Sequence, residues 1–373
     1  MAGLYIHIPF CKQKCSYCDF HFTVQLNQTE GMLLAMHKEW KSRAIELSKE
    51  ILNTIYFGGG TPSILPSGAI QKFIQHVRDT HAVSDTAEIS LEANPDDMSA
   101  NKLKEWKESG VNRLSVGIQS FDDALLTSMN RSHNANEAEQ AIVLAKQLGF
   151  HSISVDIIFG LPEEGLMPFD EVVERFIALD VDHISAYALT IEKGTAYAHQ
   201  VIKGELRLPD EEEVERQFIY LIDRLAEAGY EQYEVSNFAR NGHISKHNSS
   251  YWKEKKYLGI GPSAHSYNGK TRRWNISNNR VYMDALRKGE SYWEEERIDS
   301  RTALNEYLLT RSRTKWGLDL NYLKSEFGVD LLKDQREVLA KYEGKFSIEK
   351  NILILNRKGL LFADRFASDL FKI

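Results

Sequence analysis

Cys11, Cys15 and Cys18 fall within one short stretch near the start of the 373-residue chain, which has no other cysteine. Thiolates at a C-x3-C-x2-C spacing on a single loop are soft ligands suited to an iron–sulfur cluster or to zinc. Three cysteines cannot all pair as disulfides, and an intracellular chain would keep them reduced. A four-iron cube on three thiolates leaves one iron without a cysteine, open to a small ligand. Zinc would need a fourth protein donor in tetrahedral geometry, for which His7 and His21 are the nearest candidates. Incidental thiols are the remaining alternative.

These residues must be held by the elements around them. Short apolar runs at Leu4–Ile8, Thr54–Phe57, Ala87–Ala93, Arg113–Gln119, Ser152–Phe159 and His183–Leu189 predict strands. Segments of helical period lie between them, at Thr29–Leu47, Ser67–His81, Asn101–Ser109, Asn134–Leu148 and Phe169–Leu179. Strand–helix alternation of this kind implies a parallel sheet with right-handed crossovers, as an open sheet or a barrel. Neighbouring side chains in a strand point oppositely, so Ile89 and Leu91 take one face while Ser90, Glu92 and Asn94 take the other. Leu114, Val116 and Ile118 likewise oppose Ser115, Gly117 and Gln119, and Ile153, Val155 and Ile157 oppose Ser154 and Asp156. The expectation is a barrel with a polar interior, with Glu92, Gln119 and Asp156 toward the strand ends where barrels place their sites.

Gly58-Gly59-Gly60-Thr61-Pro62 follows the second strand and leaves the main chain open to a small polar ligand. It lacks both the dinucleotide fingerprint and the Lys-Ser/Thr of a P-loop. From about Ser300 the pattern changes to helices, a hairpin of Lys345–Ile348 and Asn351–Leu355 turning at Glu349-Lys350, and a last helix over Lys358–Phe371. That order resembles a winged-helix module. The division expected is 1–285 for the barrel with its extension and 286–373 for a C-terminal domain. Asp210-Glu211-Glu212-Glu213 reads as a helix start, and Lys253, Lys255 and Lys256 as a solvated face.

A hydrophobic content of 42%, a charged content of 27% and a net charge of −7 describe a globular chain poorly suited to coating nucleic acid. No basic, apolar leader and no long apolar run is evident, so cytoplasmic residence is expected, with peripheral membrane contact left open.

Taken together, the motifs resemble those of radical S-adenosylmethionine (SAM) proteins, and among them the anaerobic coproporphyrinogen III oxidase-like family. The resemblance is carried by Tyr-Ile-His-Ile-Pro-Phe-Cys at 5–11, the cysteine motif, Gly-Gly-Gly-Thr-Pro at 58–62, Glu92-Ala-Asn-Pro95, Ser115-Val-Gly-Ile-Gln-Ser120, Asn130-Arg131 and Asp156-Ile-Ile-Phe-Gly-Leu-Pro162. It implies an α/β fold, a partial (β/α)6 TIM-like barrel with a C-terminal winged-helix-like domain. It also implies a [4Fe–4S] cluster on Cys11, Cys15 and Cys18, with SAM chelating the fourth iron through its amino and carboxylate groups. Tyr5, Tyr17, Gly59, Gly60, Thr61, Glu92, Gln119, Arg131, Asp156 and Ala188 match positions that surround SAM in the family.

Two features separate the branches. Coproporphyrinogen III dehydrogenases carry a further cysteine two residues after the third, where this chain has Phe20. His247-Asn-Ser-Ser-Tyr-Trp252 is similar to the signature of the HemW-type haem chaperone branch. The resemblance therefore implies haem as cargo, with His247 as its contact, and haem-accepting apoproteins as partners. A homodimer promoted by cluster loading is implied too, and no nucleic acid. The alternative is an oxygen-independent coproporphyrinogen III dehydrogenase, which decarboxylates propionates by radical SAM chemistry.

Overall fold

A computed structural model describes residues 2–162 and 167–371. Six parallel strands run in sequential order: β1 (Ala2–Ile8), β2 (Leu52–Gly59), β3 (Val83–Ala93), β4 (Arg113–Gln119), β5 (Ile153–Phe159) and β6 (His183–Ala188). The helices between them include Thr29–Arg43, Ala69–Thr80, Ala100–Glu108, Ala135–Gln147 and Phe169–Ala178, close to the segments that periodicity predicts. The helix starts at Ser99, Asp122, Asn134, Thr195 and Asp210 are capped by side chains accepting a backbone N–H, and Asn134 with Glu137 forms a reciprocal capping box.

Strand parity sorts as expected. Ile89, Leu91, Leu114, Val116, Ile153 and Val155 are buried in one large core beneath the helices, with Met36, Phe73, Leu103 and Ile142. The opposite face of every parallel strand carries polar or small residues, including Thr54, Glu88, Ser90, Arg113, Ser154 and His183, all buried. Burial of polar groups is costly unless they find partners, and of these only Ser90 Oγ has none. His183, for example, has both ring nitrogens at 2.7 Å from hydroxyls, those of Ser154 and Tyr233.

Beyond the parallel strands the sheet continues at both edges. Antiparallel β7 (Glu231–Glu234) and β8 (Asn237–Ala239) extend it past β6. On the other edge β9 (Tyr257–Ile260) pairs in parallel with β1, followed by antiparallel β10 (His265–Tyr267), β11 (Thr271–Asn275) and β12 (Trp293–Arg297). A buried ionic network fastens this extension. Glu39 accepts from Arg43 Nη1 at 2.9 Å, Asn275 Nδ2 at 2.8 Å, the Gly261 amide at 2.8 Å and the Tyr282 hydroxyl at 2.5 Å.

The large sheet thus runs to Arg297, past the division expected at 285. A second hydrophobic cluster begins at Leu304 and includes Leu308, Leu318, Leu323, Leu353 and Phe366. It packs around a small sheet of β13 (Leu318–Asp319), β14 (Phe346–Glu349) and β15 (Ile352–Leu355). The hairpin turns one residue later than periodicity suggests, at Lys350-Asn351. Both residues have positive φ, 50° and 64°, as a two-residue turn matched to strand twist requires. The last helix is split into Arg357–Leu360 and Ala363–Leu370, because the Phe362 amide bonds back only to Gly359 and tightens the chain there.

Candidate cofactor site

The cysteine loop leaves β1 through Pro9 and is clamped on several sides. Thr23 and Cys11 exchange backbone bonds across its base, with Thr23 N donating to Pro9 O at 2.9 Å and Cys11 N to Thr23 O at 3.0 Å. Ser16 N reaches Met129 O, and Asn130 Nδ2 reaches Lys14 O at 2.7 Å. Lys12 sits 2.5 Å from both Asp96 and Asp97. The glycine loop after β2 seals the inner side, Gly60 N donating to Ile8 O at 2.8 Å and Thr61 N to Phe10 O at 2.7 Å. A Cβ on Gly60 would stand 2.5 Å from the Phe10 carbonyl oxygen. Glycine is required there to bring the two loops together, a reason additional to ligand access.

Above the strand ends lies a cavity of about 450 Å³. Cys11, Cys15, Cys18, Tyr17, Gly59, Gly60, Thr61, Glu92, Gln119, Arg131, Asp156 and Ala188 all line it. Asn94, Ser115, Gly117, Tyr187 and Thr190 join them, residues that sequence reasoning did not assign to a ligand. Strand parity pointed to Ser115 and Gly117; nothing local marks Tyr187 or Thr190. Tyr5 is outside the lining. Its hydroxyl bonds His7 Nδ1 at 3.0 Å and its ring stacks at 6.1 Å on Tyr56, so it stands behind the wall.

Arg131 reaches furthest across the site. Its Nη1 lies 3.4 Å from Cys15 Sγ, while Nη2 donates to Asn94 Oδ1 at 2.9 Å and Gly117 O at 2.7 Å. Its buried Nε has no hydrogen-bond partner. Thr61 Oγ1 donates to Cys11 Sγ at 3.3 Å. Gln119 adopts φ +74°, in the region a non-glycine residue rarely enters, at a register irregularity between β4 and β5. Strain of this kind at a cavity wall marks a position fixed by its surroundings.

This donor set suits the cluster and nucleoside that the motifs imply. Three cysteine sulfurs share one loop, two of them already receive side-chain hydrogen bonds, and Arg131 lines the same cavity. Among the described residues no three His, Cys, Asp or Glu side chains converge as on a single ion. A cube sets its three thiolates on three separate irons and needs no such convergence. His7 has no nitrogen left for zinc, since its Nε2 donates to His21 O at 2.9 Å, and His21 Nε2 turns to Asn279 at 2.8 Å.

Two carboxyls, Glu92 and Asp156, line the cavity. Burial, with the Asp156 charge adding, pushes Glu92 up to about 7 against the hydrogen bonds from Tyr56 Oη and Gly59 N. Burial likewise raises Asp156 to about 6, opposed by Ser185, Arg131 and Arg113. Both values exceed the ordinary 4.5 and 3.8, so the folded chain keeps protons that the unfolded chain has released. The contribution of this pair to stability is therefore fullest below those ordinary values and is lost as pH rises to about 7. Urea midpoints of the ligand-free protein across that range should fall more steeply for the parent than for Glu92→Gln. Parallel profiles would show that Glu92 ionises normally.

The structure moves His247 away from this site. It belongs to the helix Lys246–Trp252, which closes the other end of the barrel. Glu88 accepts the amides of Lys246 and His247 at 2.9 Å each, and Arg113 Nη1 donates to His243 O at 3.3 Å. The His247 ring is 2% exposed, with Nδ1 at 2.7 Å from Thr54 Oγ1 and Nε2 at 2.8 Å from Tyr251 Oη. It stacks on Tyr56 at 4.9 Å, and burial lowers its pKa to about 3. Thr54 precedes Gly58 by four residues, about 13 Å along the strand. Both His247 ring nitrogens are thus committed to neighbouring hydroxyls, and His247 is not among the residues lining the cavity beside the cysteines.

Residues 5–176 match the model of the radical SAM superfamily. The chain is 35% identical over 334 residues to the protein named heme chaperone HemW of Bacillus subtilis (strain 168), covering 89% of this chain and 88% of that one. It is 34% identical over 368 residues to heme chaperone HemW of Mycobacterium tuberculosis (strain ATCC 25618 / H37Rv), covering 97% and 93%. Among solved structures, coproporphyrinogen III oxidase (HemN) from Escherichia coli superposes with a TM-score of 0.85 at 22% identity, over 100% of this chain and 90% of that one. That likeness concerns the fold, a partial barrel with a C-terminal helical unit. Fold, cavity and near full-length similarity agree, and the chain belongs to the radical SAM superfamily, in its HemW-type family.

Proposed function

We propose that this protein is a haem chaperone that carries a SAM-liganded [4Fe–4S] cluster and delivers haem to acceptor apoproteins. The observation that carries this reading is the similarity to proteins named heme chaperones over almost the entire chain. Membership of the radical SAM superfamily implies the cluster and SAM. When bound, a reduced cluster of this class supplies an electron for cleaving a carbon–sulfur bond of SAM.

Cys11, Cys15 and Cys18 would hold three irons. Arg131, which lines the cavity, is placed to pair with a carboxylate. Glu92 and Asp156 are placed to accept from hydroxyls or an amine, and a cationic ligand between them would favour their ionised forms. Gly59 and Gly60 keep the wall low beside the cysteines. Beneath the cavity, the Lys246–Trp252 helix acts as a post on which the barrel interior rests. We place the division between barrel and C-terminal unit after β12, and the protein in the cytoplasm. Among the described residues no helix is long and apolar enough to cross a membrane.

The rival is a coproporphyrinogen III dehydrogenase, whose fold this chain shares. Phe20, 68% exposed beside the cysteine loop, stands where that branch carries a further cysteine. Anaerobic incubation of the reconstituted protein with coproporphyrinogen III, SAM and a reductant decides between them. The expected result is no catalytic protoporphyrinogen IX, together with haem bound stoichiometrically and transferred to an apoprotein. Turnover of coproporphyrinogen III would overturn the chaperone reading.

A further inference from the structure

With His247 enclosed, a haem carrier needs its polar edge held elsewhere, and one groove has groups in excess of their partners. It lies between the end of the Lys246–Trp252 helix and the C-terminal unit, with a volume of about 420 Å³. Lys253 Nζ stands 4.1 Å from the centre of the Trp316 ring, and the Arg311 guanidinium 5.5 Å from that of Tyr307. Tyr322 adds a second aromatic face, 4.9 Å from Tyr307 and 39% exposed.

Among the described residues neither Lys253 nor Arg311 forms an ion pair or a side-chain hydrogen bond, and Arg311 Nε is buried without a partner. The neighbouring cations differ. Lys256 pairs with Glu50 at 2.9 Å, Lys315 with Glu231 at 2.8 Å, and Arg313 with Asp364. Two acids share the groove, and Glu254 feels the Arg311 charge. Asp319 is committed to the amides of Asn321 and Tyr322, at 2.9 and 3.0 Å, and Glu254 makes no ion pair with either cation. Lys253 is thus not part of a solvated face with Lys255 and Lys256. It and Arg311 are two unpaired positive charges over aromatic walls, a surface complementary to a flat aromatic body bearing two carboxylates.

We infer that this groove seats the propionate edge of haem, with Lys253 and Arg311 receiving the two carboxylates and Tyr307, Tyr322 and Trp316 flanking the macrocycle. The inference rests on the haem reading above and adds a place for the cargo away from the SAM cavity.

The test is haem titration of the full chain, followed by absorbance, for the parent and for the double variant Lys253→Gln/Arg311→Gln. Each lost charge-assisted contact should weaken binding about tenfold. The parent is also titrated with iron protoporphyrin dimethyl ester, which keeps the ring and lacks the carboxylates; this arm needs no mutant to fold. Support is weaker binding by the double variant, with the ester bound by the parent as weakly. Unchanged haem affinity in a folded double variant, or ester bound as tightly as haem, overturns the inference while leaving the chaperone reading intact. A parent that binds no haem overturns both.

Discussion

Replacing Cys11, Cys15 or Cys18 singly by serine is expected to reduce iron in the anaerobically reconstituted protein to background and to abolish SAM binding that depends on the cluster. A serine hydroxyl is a harder and far weaker ligand for iron than a thiolate, and the loop has no fourth cysteine to substitute. Burial raises the Cys11 thiol to about 12, and it raises Cys18 as well, so the protein alone does not stabilise these groups as thiolates. Arg131 opposes this only in part, and iron would supply the further positive charge that holds the sulfurs ionised. Thr61→Val should act more gently, because it removes only the 3.3 Å donor to Cys11 Sγ. Loss of such a supporting contact weakens metal binding by about 10–100-fold. Iron analysis and electron paramagnetic resonance of the reduced protein separate the two grades of effect. Full cluster content in any of the three serine variants would remove that cysteine from the ligand set.

His247→Ala is expected to cost about 3–5 kcal/mol of folding stability, the range for deleting a large buried ring. The variant strips partners from Thr54 and Tyr251 in a region with little access to water, and unpaired buried polar groups are costly. It also removes the ring that stacks on Tyr56, whose hydroxyl donates to Glu92 at 2.7 Å. His247→Phe should recover part of the loss by restoring the stack without the hydrogen bonds. Urea midpoints of the three proteins measure this directly. A His247→Ala protein as stable as the parent would show that the ring is no structural post, and the haem-ligand assignment would return.

The cysteine spacing spoke for itself, because three ligands within one loop need no distant segment to bring them together. His247-Asn-Ser-Ser-Tyr-Trp252 was conspicuous for the opposite reason. An imidazole with two aromatic residues suits a porphyrin and suits a polar barrel floor equally, and the choice depends on Thr54, Glu88 and Arg113, which lie far away in the chain. The lysines at 253, 255 and 256 show the same limit. Lys256 found Glu50, while Lys253 came to rest over Trp316, and their sequence neighbourhood does not distinguish them.

What the amino-acid sequence determined unaided is local and periodic: the ligand loop, the strand–helix alternation, and the face on which Glu92, Gln119 and Asp156 stand, because a two-residue repeat commits every side chain of a strand to one side or the other. Only the tertiary structure decided which inward residues share a cavity. It also raised the pKa of Glu92 through enclosure with Asp156, and it set Gln119 at φ +74° where β4 and β5 lose register. It enclosed His247 and left Lys253 and Arg311 unpaired. Those outcomes follow from desolvation and from partners contributed by remote segments, and no pattern within a single segment carries either quantity.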